Sequence, residues 1–151
     1  MKKILQLTII FLIGIMVGGY LFRDVQPRSF LAFDQCNEKC FDSNQIMGLI
    51  GSIAAQKMPE LIPFVVKETD KTLVMDFPTG GDNKHYIIVP KKDIKDVGDI
   101  LESDQEYIID AYAVMGDIIR ENNLKEYRIY TNGPSYQSVN YIHFHLFSDD
   151  N

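Results

Sequence analysis

The chain has 151 residues, enough for one domain in addition to its N-terminal segment. Hydrophobic residues make up 46% of it and charged residues 24%, a globular composition that excludes a disordered chain. The formal net charge of -6 argues against DNA or RNA as the main partner, although a few donors in one cleft could still bind a small phosphorylated ligand.

An apolar segment follows the first three residues. Residues 4–22 contain no charged side chain. As a helix they would span about 28 Å, close to the hydrocarbon thickness of a bilayer. The segment is apolar all round, whereas a core helix would show a polar stripe. The residues after it match a signal-peptide cleavage site poorly. We therefore expect residues 1–22 to form a retained, single-pass membrane anchor.

Basic residues flank the predicted anchor on both sides. Lys2 and Lys3 precede it, and Arg23 and Arg28 follow it, so the counts are nearly balanced. A short basic N-terminus usually stays on the cytoplasmic side, which predicts that the rest of the chain lies outside the cytoplasm.

Residues 23–42 are predicted to form an irregular linker that contains Cys36 and Cys40. Three interpretations of this pair remain open. In an oxidising compartment the two cysteines could form a disulfide that closes a small loop. A metal site would need two further ligands. The third interpretation is a pair of free thiols.

Residues 43–151 show the periodicities of two helices and five strands. The first helix is predicted at residues 43–58, with Ser43 as N-cap, Pro59 as its end and a buried face formed by Ile46, Met47, Leu49, Ile50 and Ile53. The second begins at Ser103 in a capping-box pattern and ends at residues 122–123. Strands are predicted at residues 64–67, 72–77, 86–89, 127–131 and 141–147. Hairpin-length links among the early strands favour an α+β domain with a five-stranded, mostly antiparallel sheet.

The last predicted strand contains two of the three histidines, His143 and His145. The pleat of a strand would place both on one face together with Tyr141. A lone His-x-His pair is more often a solvated strand face than a site. Here Asn132, a glycine-containing loop, Gln137 and Ser138 come just before it and supply donors that a phosphate oxyanion needs. A neutral imidazole can attack phosphorus, and a second can hold an oxygen or protonate the leaving group.

Residues 137–146 resemble the signature of the histidine-triad (HIT) family, His-φ-His-φ-His-φ-φ after a Gln-Ser-Val lead-in. Upstream, residues 72–77 resemble the family's acidic strand end, and residues 85–92, His-Tyr-Ile-Ile-Val-Pro-Lys-Lys, resemble the segment that follows it. The likeness covers roughly residues 60–148, and all three histidines of the chain fall on motif positions. It implies a five-stranded antiparallel sheet with two helices, usually in a twofold dimer.

The resemblance also implies a role for each matching residue. His143 takes the position of the nucleophile, and His145 that of the histidine that contacts the α-phosphate and assists the leaving group. Phosphate or leaving-group contacts are implied for three residues before them, Asn132, Gln137 and Ser138. Asp76 falls where the family holds ribose hydroxyls, and His85 where a further histidine lies beside the site. No cofactor is implied.

The chain departs from the family at three positions of its structural zinc site. Tyr141 replaces the first triad histidine, and Asp93 replaces the histidine after Pro-Lys-Lys. Zinc-binding members carry Cys-x-x-Cys, whereas this chain has Cys36-x-x-x-Cys40. We therefore expect no bound metal. The loss of the first histidine at Tyr141 could change the orientation of His143. The loop at residues 132–137 is short and has Tyr136 where glycine is common, which could narrow the phosphate site or change its preference.

Three functions follow as hypotheses. The first is hydrolysis or nucleotidyl transfer at the α-phosphate of a nucleotide conjugate, through a nucleotidyl-histidine on His143. The second is a membrane-associated CDP-diacylglycerol-type pyrophosphatase, suggested by the N-terminal segment. The third is a nucleotide-binding domain with weakened catalysis, suggested by Tyr141. The expected partners are a small nucleotide substrate and the membrane, and a homodimer is compatible with all three.

Overall fold

The structure is a computed structural model that describes residues 2–31, 42–78 and 83–149. Cys36 and Cys40, and most of the predicted turn between the second and third strands, lie outside these ranges. The three interpretations of the cysteine pair therefore stay open.

The described residues form three long helices: α1 at Lys2–Phe22, α2 at Ser43–Lys57 and α3 at Gln105–Glu121. Both predicted caps were misplaced. Asp42 caps α2, because its carboxylate accepts the backbone N–H of Asn44 at 3.0 Å. A 3₁₀ turn at Glu102–Asp104 precedes α3, so this helix begins two residues later than predicted, and the buried Asp104 carboxylate accepts the Leu101 N–H.

The five strands form one fully antiparallel sheet in the order β1-β2-β3-β5-β4. Their bounds are β1 Val65–Glu68, β2 Thr72–Asp76, β3 Lys84–Pro90, β4 Tyr127–Tyr130 and β5 Phe144–Ser148. The predicted α+β architecture is confirmed.

The last strand starts later than the predicted residues 141–147, at Phe144. Before it, the Ile142 N–H donates to Ile94 O at 2.7 Å, in the loop that follows β3. Residues 141–143 are held by this loop rather than paired in the sheet. Tyr141 still lies on the same side of the sheet as the two histidines, as the pleat predicted, but it is buried at 3% exposure whereas His143 and His145 are half-buried.

The sheet has a hydrophobic core on each face. The larger core includes Val74, Ile88 and Leu146 from the sheet and Ala111 and Met115 from α3. The second joins Ala55 of α2 to Leu73, Val89 and Tyr141. His145 pairs with Ile87, which packs against this second core, so the histidines lie on the α2 side of the sheet.

The predicted buried face of α2 is wrong in part. Met47 and Ile50 remain 51% and 55% exposed, and the residues that α2 buries are mostly small: Gly48, Leu49, Ser52 and Ala55. Gly48 explains the rotation of the helix, because a Cβ there would come within 2.2 Å of Asn140 O. Met47 and Ile50 therefore line an open cavity beside the sheet instead of filling the core.

The helix α1 has 21 residues, a mean hydropathy of 2.2 over its most apolar window, and no buried residues. Its length and composition suit a membrane span and equally a signal sequence near the N-terminus. The segment after α1, part of the predicted linker, packs on the domain. Arg28 is buried, and its Nη2 lies 2.7 Å from the Asp93 carboxylate.

Candidate active site

The ring of His143 is fixed by a backbone carbonyl. Its Nδ1 lies 2.8 Å from Tyr141 O, and Thr131 Oγ1 donates to His143 O at 2.8 Å. A carbonyl oxygen only accepts, so Nδ1 donates the hydrogen bond, and in the neutral imidazole Nε2 then keeps its lone pair. His143 is half-buried, and the unprotonated nitrogen is the one available to a ligand.

His145 stacks between two rings at the end of β5. The Tyr130 centroid lies 4.6 Å away and the His85 centroid 5.1 Å away, both nearly parallel to it. His145 Nδ1 lies 2.9 Å from His85 Nε2, and Asn132 Nδ2 lies 3.4 Å from His145 Nε2. Since an amide nitrogen only donates, Nε2 of His145 accepts here and its Nδ1 donates to His85.

Burial keeps this pair of imidazoles neutral at neutral pH. It lowers the pKa of His145 from 6.5 to about 4, and the nearby His143 and His85 act in the same direction. Burial also lowers the pKa of His85, opposed in part by the carboxylate of Asp76.

The other predicted site residues lie around this cluster and differ in how far they are buried. Gln137 is buried behind the loop, where its side-chain amide donates to Asn132 O at 2.9 Å. Its backbone carbonyl accepts from Asn44 of α2, so Gln137 supports the loop that presents Asn132. Ser138 is exposed on the same loop, and Asp76 is exposed at the end of β2.

An apolar cavity of about 290 Å³ reaches the histidine cluster, with His143 and Tyr141 in its wall. Its other lining residues are Met47, Ile50, Gly51, Ala54, Ala55, Ile62, Leu73, Met75, Ile87, Val89 and Val139. The α2 residues of this wall were missed by the sequence analysis, which assigned their spacing to the core. The small residues Gly48, Gly51, Ala54 and Ala55 could have indicated that α2 packs closely along this face and leaves Met47 and Ile50 outside the core.

The positions that depart from the family pattern are occupied by a buried polar cluster. Asp93 accepts from Arg28 and, at 2.6 Å, from the backbone N–H of Gln26. The Tyr141 hydroxyl donates to Pro90 O. Burial, and then the charge of Asp93, raise the pKa of Tyr141, so its hydroxyl stays protonated. No group of three or more metal-ligating side chains occurs in the described part of the chain, and the absence of a metal remains a prediction.

Comparison with known proteins agrees with this fold. The model of the family described as "Scavenger mRNA decapping enzyme C-term binding" matches residues 50–151. A HIT family hydrolase from Legionella pneumophila Philadelphia 1 superposes with a TM-score of 0.58 at 27% identity, over 68% of this chain and 93% of that one. A histidine triad nucleotide-binding protein from Candida albicans gives 0.51 at 26% identity, over 65% and 75%.

A HIT family hydrolase from Clostridium thermocellum gives a TM-score of 0.57 over 74% of this chain and 95% of that one. At 23% identity it supports the fold alone. No curated protein sequence matches the chain.

Because the family match spans more than half of the chain, the protein belongs to that family, within the histidine-triad proteins. The resemblance read from residues 60–148 is thereby confirmed. The fold is that of HIT family hydrolases, and a hydrolase-like enzyme is the class it supports.

Proposed function

We propose that this protein hydrolyses nucleotide conjugates, or transfers their nucleotidyl group, by attack of His143 on the α-phosphate. The observation that carries the proposal is the hydrogen bond from His143 Nδ1 to Tyr141 O, which leaves Nε2 as a free nucleophile. The carbonyl of residue 141 supplies this bond whatever its side chain, so replacement of the first triad histidine by tyrosine leaves the orientation of His143 intact.

In the first step, His143 Nε2 forms a bond to the α-phosphorus, and the bond from phosphorus to the leaving group breaks. The leaving group departs with the electron pair and takes up a proton. In the second step, water attacks the nucleotidyl-histidine, the P–N bond breaks, and a nucleoside monophosphate is released. An acceptor other than water would make the reaction a transfer.

His145 and Asn132 act on the phosphate oxygens in this proposal. A bound phosphate brings negative charge next to His145 and raises its pKa, so the ring can take up a proton and pass it to the leaving group. Asn132 donates from its side-chain amide, and the Gln137 side chain donates to the backbone carbonyl of Asn132. The hydroxyl of Ser138 is a further phosphate donor, Asp76 contacts the ribose, and His85 keeps His145 in its tautomer.

The apolar cavity beside His143 receives the nucleoside. Its volume suits one small organic group, and its lining buries a ring without selecting for the hydrogen-bonding edge of a particular base. Broad tolerance of the base is therefore expected.

The CDP-diacylglycerol-type alternative is favoured by the strongly apolar lining of the cavity together with the apolar helix α1. We further propose that α1 anchors the chain in a membrane, with the domain on the extracytoplasmic side. Ile109 and Tyr112 of α3, and Tyr127 of the edge strand β4, are exposed and support a homodimer interface.

The test compares three substrates with the full chain in detergent: a nucleoside phosphoramidate, a dinucleoside polyphosphate and CDP-diacylglycerol. Turnover of a nucleotide conjugate that is lost in a His143→Ala variant supports the leading proposal. Turnover of the lipid alone supports the alternative. Nucleotide binding without turnover of any substrate would leave a binding domain and contradict both enzymatic proposals.

A further inference from the structure

The end of α1 is fastened to the C-terminal end of α2. Lys57 Nζ lies 2.5 Å from Asp24 Oδ2, and it lies over the ring of Tyr20 at 5.0 Å from the centroid. The buried pair of Arg28 and Asp93 holds the same segment to the domain four residues further on. These contacts define which side of the domain faces the bilayer if α1 spans it.

A loop of exposed apolar residues begins on that side, two residues after Lys57. It comprises residues 59–64, including the 3₁₀ turn Pro59–Leu61. Leu61 is 69% exposed and Phe64 is 59% exposed. Large apolar side chains in water are unfavourable, and adjacent ones are typical of a contact with a partner or a membrane.

Phe64 also has an unusual backbone conformation. Its φ of 65° lies in the left-handed region, which is costly for an aromatic residue. Its carbonyl accepts the N–H of Asp76 at 3.0 Å, so the sheet helps to hold this conformation. The strained residue presents an aromatic ring to solvent rather than to the core, which is the combination expected of a functional contact.

We propose that residues 59–64 insert into the interface of the bilayer spanned by α1, with Leu61 and Phe64 as the inserted side chains. This inference rests on the membrane anchoring proposed above. Aromatic and aliphatic side chains are favourable at that depth. Ile62 of the same loop lines the cavity at His143, so the loop brings one wall of the cavity next to the membrane.

The insertion depends on apolar contact rather than on charge. Glu60 is exposed within the loop, and a carboxylate is not attracted to an anionic bilayer. The contact should therefore persist at high salt and in bilayers without anionic lipid.

The chain contains no tryptophan, so a single introduced tryptophan reports its own position. Four variants of the full chain, Leu12→Trp, Leu61→Trp, Phe64→Trp and Ile109→Trp, are placed in vesicles of ordinary or brominated phosphatidylcholine. Leu12 lies within α1, and the exposed Ile109 lies on α3, on the opposite face of the sheet. Matching melting temperatures show that the variants fold.

Brominated lipid is expected to reduce the fluorescence at positions 12, 61 and 64 by roughly twofold, as for rings at or below the interface, and to leave position 109 unchanged. Quenching at position 12 without quenching at 61 and 64 would overturn the loop inference and leave the anchor in place. No quenching at position 12 would overturn both. Neither outcome depends on substrate, so the proposed chemistry is tested separately.

Discussion

Two polar clusters lie about the segment from Tyr141 to His145, and they are built in opposite ways. In the cluster of His143, His145, His85 and Asn132, the rings are half-buried, His143 lines a cavity, and the hydrogen bond of its Nδ1 leaves the Nε2 lone pair of the neutral ring free. In the cluster of Arg28, Asp93 and Tyr141, the side chains are almost wholly buried and bonded to one another or to the backbone.

This difference indicates that the histidine cluster can react with a ligand, whereas the cluster of Arg28, Asp93 and Tyr141 stabilises the fold. A nucleophile needs an unsatisfied lone pair that a substrate can reach, whereas a buried charge without a partner is destabilising. Residue 141 belongs to both clusters, because its carbonyl orients His143 while its side chain packs with Asp93. The positions where the family resemblance implies a metal site thus hold structural contacts here, next to the proposed nucleophile His143.

The largest effect is expected from His143→Ala. Removing the attacking atom should lower kcat by about 10³-fold or more, measured by release of the nucleoside monophosphate. The melting temperature should change little, because this half-buried ring lines a cavity rather than filling the core. Replacing the exposed Tyr136 by phenylalanine provides a control on the nearby loop. Retained turnover in His143→Ala would contradict the division between the two clusters.

The next effect concerns Arg28→Met. It leaves the Asp93 carboxylate buried without its charged partner, so the free energy of unfolding in urea should fall by about 3–5 kcal/mol. Arg23→Met is the matched control, because Arg23 belongs to the same segment but is exposed and pairs with its neighbour Asp24. It should cost at most about 1 kcal/mol.

A double variant, Arg28→Met with Asp93→Leu, removes both charges and should recover most of the lost stability. If Arg28→Met proved as mild as Arg23→Met, the second cluster would not be structural.

A smaller effect is expected from pH. The pKa of His145 is about 4 in the fold and 6.5 ordinarily, so the unfolded chain binds more protons between these values. Stability should therefore fall as the pH drops from about 6.5 to about 4. His85, whose pKa is also lowered, contributes in the same direction. A His145→Asn variant should show a shallower fall in melting temperature over this window, and an unchanged slope would argue against a neutral, buried His145.

The smallest effect is expected from Tyr141→Phe. The change removes the donor to Pro90 O in a buried place, so stability should fall by about 1–2 kcal/mol. The carbonyl that orients His143 remains, so kcat should fall by less than about threefold. A loss of kcat comparable to that of His143→Ala, with little loss of stability, would show that the phenol itself takes part in the reaction.

Most of the architecture could be predicted from the sequence because it depends on local periodicity. Strand alternation and helical spacing gave all five strands and both domain helices. The predictions that were wrong concerned features that depend on contacts between residues far apart in the sequence. The start of β5 is set by the bond from Ile142 to Ile94, and the orientation of α2 is set by the approach of Gly48 to Asn140.

In the candidate site, too, the local motif could be predicted from the sequence, whereas the long-range contacts could not. The family resemblance had already placed His85 and Asn132 beside the motif of His143 and His145, and the structure shows that both contact the ring of His145. The burial of Gln137 and the pairing of Arg28 with Asp93 could not be predicted, because they join residues far apart in the sequence. The role of the Tyr141 carbonyl is invisible to a side-chain motif, since every residue has that group.

The most direct test of the central claim is capture of the covalent intermediate. The full chain is mixed with a nucleotide conjugate, quenched in base to preserve an acid-labile P–N bond, digested and analysed by mass spectrometry. We predict one nucleotidyl group on the peptide that contains His143, located at its imidazole and absent from His143→Ala. Continued turnover with no adduct, or an adduct on another residue, would contradict His143 as the nucleophile.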